Sequence, residues 1–259
     1  MTKDVDFQPN SDLPVAAWSG HLAQGAHWQA MGDDHARVMF CFDGLMRVET
    51  GAGRWFIPDR FGLWLPPGTA AQVQVAHRAE FQTLLLHPRF ARRPGLPDHP
   101  VMLRATPLMR GIGRRLAPTD TAAAPLTRPE RRRLGWVALD EIARLDRPDL
   151  HLPGGRDARL ARVISHLLAH PGDANSLALL ASRAGISTRT LSRLFQHETG
   201  LSWRDWRDRM RFVLAVEGVQ LGRSSTELAA ALGYSSPSAF VAAFRRQAGV
   251  SPSQWRQQK

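Results

Sequence analysis

One internal repeat constrains this chain more than any other feature. Ala181-Ser-Arg-Ala-Gly185 and Ala229-Ala-Ala-Leu-Gly233 each place an alanine four residues before a glycine. The first glycine is followed by Leu191, Phe195, Gly200, Ser202 and Trp206, and the second by Phe240, Phe244, Gly249, Ser251 and Trp255. The offset is 48 residues at the glycines and 49 afterwards, so the second turn holds one extra residue. A small residue for close approach, a glycine where φ must be positive, and apolar side chains at every fourth position describe two helices joined by a tight turn. One such pattern is easily imitated. Two in fixed register define a helix-turn-helix that occurs twice, at about 176–199 and 225–248.

The flanking sequence is helical throughout, with helices expected near Asp157–Ala169, Ser176–Ala184, Thr188–Thr199, Trp203–Leu221, Ser225–Leu232, Pro237–Ala248 and from Pro252 onward. Ser202 with Asp205, Ser224 with Glu227 and Ser251 with Gln254 have capping-box spacing. Ser236-Pro237 and Ser251-Pro252 set a cap before a proline at the first helical position. The connecting helix from Trp203 would span roughly 28 Å at 1.5 Å per residue. Reading helices must lie about 34 Å apart to enter successive major grooves on one face of B-DNA. One chain could therefore read an asymmetric site.

On the first reading helix Leu191, Leu194 and Phe195 turn inward. Ser187, Thr188, Arg189, Ser192, Arg193 and Gln196 are left as candidate DNA contacts, arginine matching guanine and glutamine adenine through paired hydrogen bonds. On the second, the outward set is Ser235, Ser236, Ser238, Ala239, Val241, Ala242, Arg245 and Arg246, a surface suited to phosphate, thymine-methyl and shape contacts. Charge supports the assignment. The chain carries +11, of which residues 156–259 supply +8, and a concentrated basic balance calls for a polyanionic partner such as double-stranded DNA. Lys3 and Lys259 are the only lysines, a bias that base composition of the genome explains.

The first part of the chain reads differently. Val38–Phe42, Leu45–Thr50, Arg54–Ile57, Phe61–Leu65, Gln72–Val75 and Phe81–Leu86 are short apolar or alternating runs separated by Asp43-Gly44, Gly51-Ala52-Gly53 and Pro66-Pro67-Gly68. This spacing predicts a small antiparallel β-barrel or sandwich. A proline-rich linker, 89–100, follows. Leu103, Leu108, Ile112 and Leu116 then mark one helix, and Leu134, Val137, Ala138, Glu141, Ile142 and Leu145 a second opened by Pro129; Arg131-Arg132-Arg133 reads as a solvated face. The fold class is α+β multidomain: residues 1–100 a β domain, 101–155 a linker and helical dimerisation segment, 156–259 an all-α DNA-binding domain.

With these residues in place, 152–256 resembles the AraC/XylS family of bacterial transcription regulators. The stretch Ser187-Thr-Arg-Thr-Leu-Ser-Arg-Leu-Phe-Gln-His-Glu-Thr-Gly200 is similar to the family's first reading helix. Leu232-Gly-Tyr-Ser-Ser-Pro-Ser-Ala-Phe-Val-Ala-Ala-Phe-Arg-Arg246, with Gly249 and Ser251-Pro252, is similar to its second unit. Trp255 stands where a tyrosine is usual. Gly44–Thr50, Gly53–Pro58 and Leu63–Gly68 resemble the cupin-like sensor domain of one subgroup, whose histidine positions hold Met31, Asp33 and Ala71 here. The resemblance implies a two-lobed helical DNA reader, a small-molecule effector, contact with RNA polymerase, a homodimer, and activation more than repression. Arg37, Trp55 and Trp64 are the candidate effector contacts, set against simple burial of the two tryptophans.

The rival reading is a metal-dependent cupin enzyme, which needs imidazoles and a carboxylate converging on one ion. No His-x-His occurs, and His35, His77, His166 and His170 read as surface or hydrogen-bonded residues. No catalytic residue, metal or cofactor is expected. Cys41 is the sole cysteine, which rules out an intramolecular disulfide and fits a reducing compartment. The opening MTKDVDFQPN lacks a basic region followed by an apolar run, so a cytoplasmic protein without a membrane partner is expected.

Overall fold

The computed structural model describes residues 12–117, 125–148 and 151–257. It divides into two compact units, one of Met1–Gly51 and Trp55–Leu150, the other of Ala52–Arg54 and His151–Lys259.

The first unit holds β1 (Val15–Leu22), β2 (His27–Ala30), β3 (Ala36–Phe42), β4 (Leu45–Thr50), β5 (Gly53–Pro58), β6 (Phe61–Leu65), β7 (Ala71–His77), β8 (Ala79–Leu86), helix α1 (Pro88–Ala91), β9 (Val101–Arg104), α2 (Pro107–Leu116) and α3 (Arg128–Arg144). One antiparallel sheet runs β1-β8-β3-β6-β9 and the other β5-β4-β7-β2. Among the described residues the strands make two sheets with open ends, not a closed barrel, the first of the two forms that their spacing allows. The Asp43-Gly44 turn shows why. It carries the chain from β3 in one sheet to β4 in the other, so these two neighbours in sequence are not hairpin partners. Asp43 has φ +55 there, and a Cβ on Gly44 would lie 2.6 Å from the Ala79 Cα, so glycine alone fits.

Alternation along β3 sends Val38, Phe40 and Phe42 to one face of the first sheet, where Trp64, Leu84 and Leu86 join them. Met109, Ile112 and Leu116 of α2 and Ala138, Leu139 and Ile142 of α3 cover that face, each large aliphatic contributing about 1.5–3 kcal/mol of burial. A Cβ on Gly113 would overlap the Gln82 amide. Glycine there lets α2 lie close enough for Gln82 Nε2 to donate to Arg110 O at 3.1 Å. Glu80 accepts from Arg110 at 2.5 Å and Arg114 at 2.7 Å. Burial pushes the Glu80 carboxyl up, and the two arginine hydrogen bonds more than reverse this, leaving it below its usual range.

Two expectations are corrected here. Leu103 lies in β9, paired with Gly62 of β6, because Thr106 caps α2 with a proline following it and the helix cannot start earlier. Val137 is 46% exposed and Leu108 55% exposed, so neither belongs to the inward stripe.

The second unit contains β10 (His151–Pro153) and helices α4 (Ala158–Ala169), α5 (Leu177–Arg183), α6 (Thr188–Thr199), α7 (Trp203–Gln220), α8 (Ser225–Leu232), α9 (Pro237–Ala248) and α10 (Pro252–Gln257). Leu160, Val163 and Leu167 of α4, Leu180 of α5, Leu191 and Phe195 of α6, and Trp206 and Met210 of α7 form one core. Further along α7, Phe212, Val213, Val216 and Val219 are buried, as are Leu228, Leu232, Phe240 and Phe244 of α8 and α9. The Phe212 and Phe244 rings lie 5.5 Å apart, and Trp255 meets Phe244 edge-on at 6.0 Å. The single helix α7 thus serves two cores. Among the described residues no helix is long and apolar enough to cross a membrane.

Candidate nucleic-acid interface

The repeated positions take equivalent conformations. Gly185 and Gly233 both have φ +70, a left-handed turn that favours glycine. Ala181 and Ala229 are 1% and 3% exposed, and Leu191, Phe195, Phe240 and Phe244 are buried. Each second helix opens on a serine cap: Ser187 Oγ accepts from Thr190 N, and Ser236 Oγ accepts from Ala239 N, both at 3.1 Å. Such caps contribute about 1 kcal/mol each. Ser187 and Ser236, expected as DNA contacts, are placed first of all as the residues that start these helices.

Thr188, Arg189, Ser192, Arg193 and Gln196 of α6 are all exposed on the side away from Leu191 and Phe195. At the far end Gln196 Nε2 donates to Gly200 O at 3.3 Å. Ser235, Ser238, Ala242, Arg245 and Arg246 are exposed about α9, whereas Ser236, Ala239 and Val241 are half-buried. One face therefore offers two arginines, a glutamine and hydroxyls within three turns. The other offers mainly methyl and hydroxyl groups, with both arginines in its last turn.

Several residues that hold these helices in place were not singled out from sequence. Glu198 of α6 accepts from the backbone N–H groups of Arg156 at 2.6 Å and Asp157 at 3.0 Å, tying α6 to the start of α4. Arg207 of α7 donates to the Asp173 carbonyl and lies over the Trp203 ring at 5.6 Å. Burial, and next the charge of Arg211, pull Arg207 below its usual range, though an arginine stays charged. Arg211 lies 5.4 Å over the Tyr234 ring, whose hydroxyl is raised by burial. In the sequence, Trp-Arg-Asp-Trp-Arg-Asp-Arg-Met-Arg looks like a solvated charged face, and nothing in it marks these two arginines as packed.

His166, expected on a solvated face, is half-buried and sits 2.7 Å from Asp173 Oδ2. The partnership holds the Asp173 carboxyl below its usual range. Its ring stacks on His170 at 4.9 Å.

In the first unit, Arg37 donates to Asp33 Oδ2 at 2.8 Å, and His35 N donates to Asp33 Oδ1 at 3.0 Å. Trp64 pairs with Val38 across β3 and β6, which puts it on the helix-covered face. Arg37, one residue earlier on β3, points to the opposite face. Trp64 Nε1 donates to Pro97 O at 2.8 Å, and Trp55 on β5 is 1% exposed. Arg37, Trp55 and Trp64 are thus not brought to one exposed surface. Met31 is exposed and Ala71 buried. The His77 side chain lies outside the described residues.

A model of the helix-turn-helix domain matches residues 180–258. The chain is 30% identical over 243 residues to the HTH-type transcriptional regulator NimR of Escherichia coli K12, covering 93% of this chain and 85% of that one. It is 37% identical over 116 residues to the HTH-type transcriptional regulator RipA of Corynebacterium glutamicum, covering 44% of this chain and 34% of that protein. Among solved structures, an AraC-type regulator from Chromobacterium violaceum aligns at 26% identity, covering 39% of this chain and 90% of that one, with a TM-score of 0.36.

Proposed function

The chain belongs to the AraC-type family of helix-turn-helix transcription regulators, and from that premise we propose that one chain reads an asymmetric DNA site with α6 and α9 in successive major grooves. That it is a DNA-binding transcription regulator follows from the family. The finer reading rests on one observation above all: Arg189, Arg193 and Gln196 form an exposed row on the far side of α6 from buried Leu191 and Phe195, flanked by exposed Thr188 and Ser192. Arg189 and Arg193 are four residues apart and share a helix face, as a helix lying in a groove requires. The 18-residue α7 spans about 27 Å at 1.5 Å per residue, which brings the two readers within reach of adjacent grooves.

In this reading Thr188, Arg189, Ser192, Arg193 and Gln196 read bases. Ser235, Ser238, Ala239, Ala242, Arg245 and Arg246 supply shape, methyl and phosphate contacts, with Ser187 and Ser236 presenting the helix starts to the backbone. The first unit is the sensor, a small organic molecule its effector, and Arg37 the candidate contact that keeps some exposure. The outer faces of α2 and α3, where Leu108 and Val137 are exposed, are the dimerisation or relay surface. The regulator acts chiefly as an activator through RNA polymerase, the effector shifting the population of DNA-competent arrangements.

The test is selection of duplexes from a randomised library by the full chain, repeated with Arg193→Ala and Arg245→Ala. Two unequal blocks about one helical turn apart are expected, with Arg193→Ala blurring one base position of its block and Arg245→Ala lowering affinity for every duplex. Binding without a compact motif, with both substitutions acting only through salt-sensitive affinity, would overturn the reading.

A further inference from the structure

Loop 171–175, between α4 and α5, reaches across to the turn of the other helix pair. A Cβ on Gly172 would lie 2.9 Å from Ala231 O and 3.3 Å from Gly233 N, and a Cβ on Gly233 would lie 2.8 Å from Gly172 O. The two backbones touch where no side chain fits. Gly172 is not among the glycines with positive φ, so its requirement is for space alone. Loop 171–175 leads into the Ser176 cap of α5, and the Gly233 turn leads into the Ser236 cap of α9. The contact therefore joins the entry to the first helix-turn-helix with the turn inside the second, just ahead of its reading helix.

The loop is held in shape from three sides. The Asp173 carboxylate accepts from Asn175 N at 2.8 Å and Asn175 Nδ2 at 2.6 Å, and lies 2.7 Å from His166 Nε2 on α4. Its carbonyl accepts from Arg207 of α7. One turn further along α7, Arg211 lies over Tyr234, the residue next to Gly233. A single connecting helix sets the distance between two lobes, but it bends and leaves their relative angle soft. A second contact off the helix axis fixes that angle.

We propose that loop 171–175 is a brace that sets the separation and angle of α6 and α9, making Gly172, Asp173 and Arg207 positioning residues that determine which spacing of two DNA blocks the chain accepts. The proposal rests on the two-reader function above and adds the element that measures spacing. When two contacts are linked rigidly, avidity is lost as soon as geometry forbids simultaneous engagement.

The test uses the full chain and the duplex it selects from a randomised library, remade with the two blocks moved one or two base pairs closer or further apart, and with one block scrambled. For the unsubstituted chain, affinity falls about tenfold or more with each change of spacing. Gly172→Ala moves the preferred spacing or flattens the profile to within about threefold, while affinity for the one-block duplex stays within about twofold. Arg207→Ala, which adds no bulk, flattens the profile in the same direction and keeps the test decisive if Gly172→Ala fails to fold. An unaltered spacing profile in folded variants overturns the brace, as does equal weakening on one-block and two-block duplexes. A wild-type profile with no second block instead removes the two-reader function, a failure visible before any variant is made.

Discussion

Helices α6 and α9 occupy matching places in the repeat and offer DNA different chemistry. Their inward positions correspond residue for residue: Leu191 with Phe240, Phe195 with Phe244, and serine caps at matched distance from their backbone donors. Their outward positions do not. In the repeat's register Arg189 and Arg193 correspond to Ser238 and Ala242, and Gln196 to Arg245, so the arginines of the other helix stand in its last turn. The difference separates two demands on a repeated unit. Packing dictates what must face in, whereas an exposed face is free to vary; in the reading proposed above one helix suits bonds to base edges and the other fit and phosphate contact.

The largest effects test the sameness of the two cores. Phe195→Ala and Phe244→Ala, at matching positions of the repeat, should each destabilise the second unit by about 3–5 kcal/mol, read by urea unfolding of the purified chain. A large loss for one and a small loss for the other would break the equivalence. Next comes the difference in chemistry. Arg193→Ala should cost about 1–3 kcal/mol of binding, concentrated at one base position. Arg245→Ala should weaken all sequences alike and lower the salt slope by about 1. Salt-dependent anisotropy titrations separate the two patterns, and the reverse outcome would exchange the roles of the helices.

The turns provide a finer contrast. Gly185→Ala and Gly233→Ala both place a side chain at φ +70, costing about 1–2 kcal/mol. Nothing lies within 4 Å of a Cβ on Gly185, but a Cβ on Gly233 meets Gly172 O at 2.8 Å. Gly233→Ala should therefore lower the thermal midpoint further, and equal shifts would show that the close approach carries no strain. Smallest are the caps: Ser187→Ala and Ser236→Ala should cost about 1 kcal/mol each, equally for both units, by the same unfolding measurement.

Much of the second unit could be read from its residues because its rules are local. α6, α8 and α9 begin and end where the caps, prolines and glycines put them, and the Ser224/Glu227 capping box forms as spaced. The Ser251 and Gln254 pairing also forms, with Gln254 Oε1 accepting from Ser251 N at 2.9 Å. The first unit was harder. β1 and β2 went unseen because Val-Ala-Ala-Trp-Ser-Gly-His-Leu and His-Trp-Gln-Ala carry small residues and little alternation, and it is pairing with β8 and β7 that makes them strands. In the sequence β9 reads as the start of a helix, since a short apolar run does not declare its period. At the candidate interface the exposed rows were legible from helical periodicity, but the brace was not. Gly172 and Gly233 are 61 residues apart in the chain, and no spacing rule announces that two backbones will touch.

The shared helix α7 has a further consequence. Trp206 and Met210 belong to the core of the first helix pair, while Phe212, Val213 and Val216, beginning only two residues later, are buried with the second. A copied sequence unit usually invites the thought of two modules that could be separated, shortened or shuffled. Here no cut is available. A break before Met210 strips the first half of a core residue, one after Phe212 strips the second, and one between them leaves each core closed by a severed helix end, so the two halves should melt in one transition and a fragment holding either alone should behave as an unfolded chain. Duplication of the sequence has produced a single cooperative body.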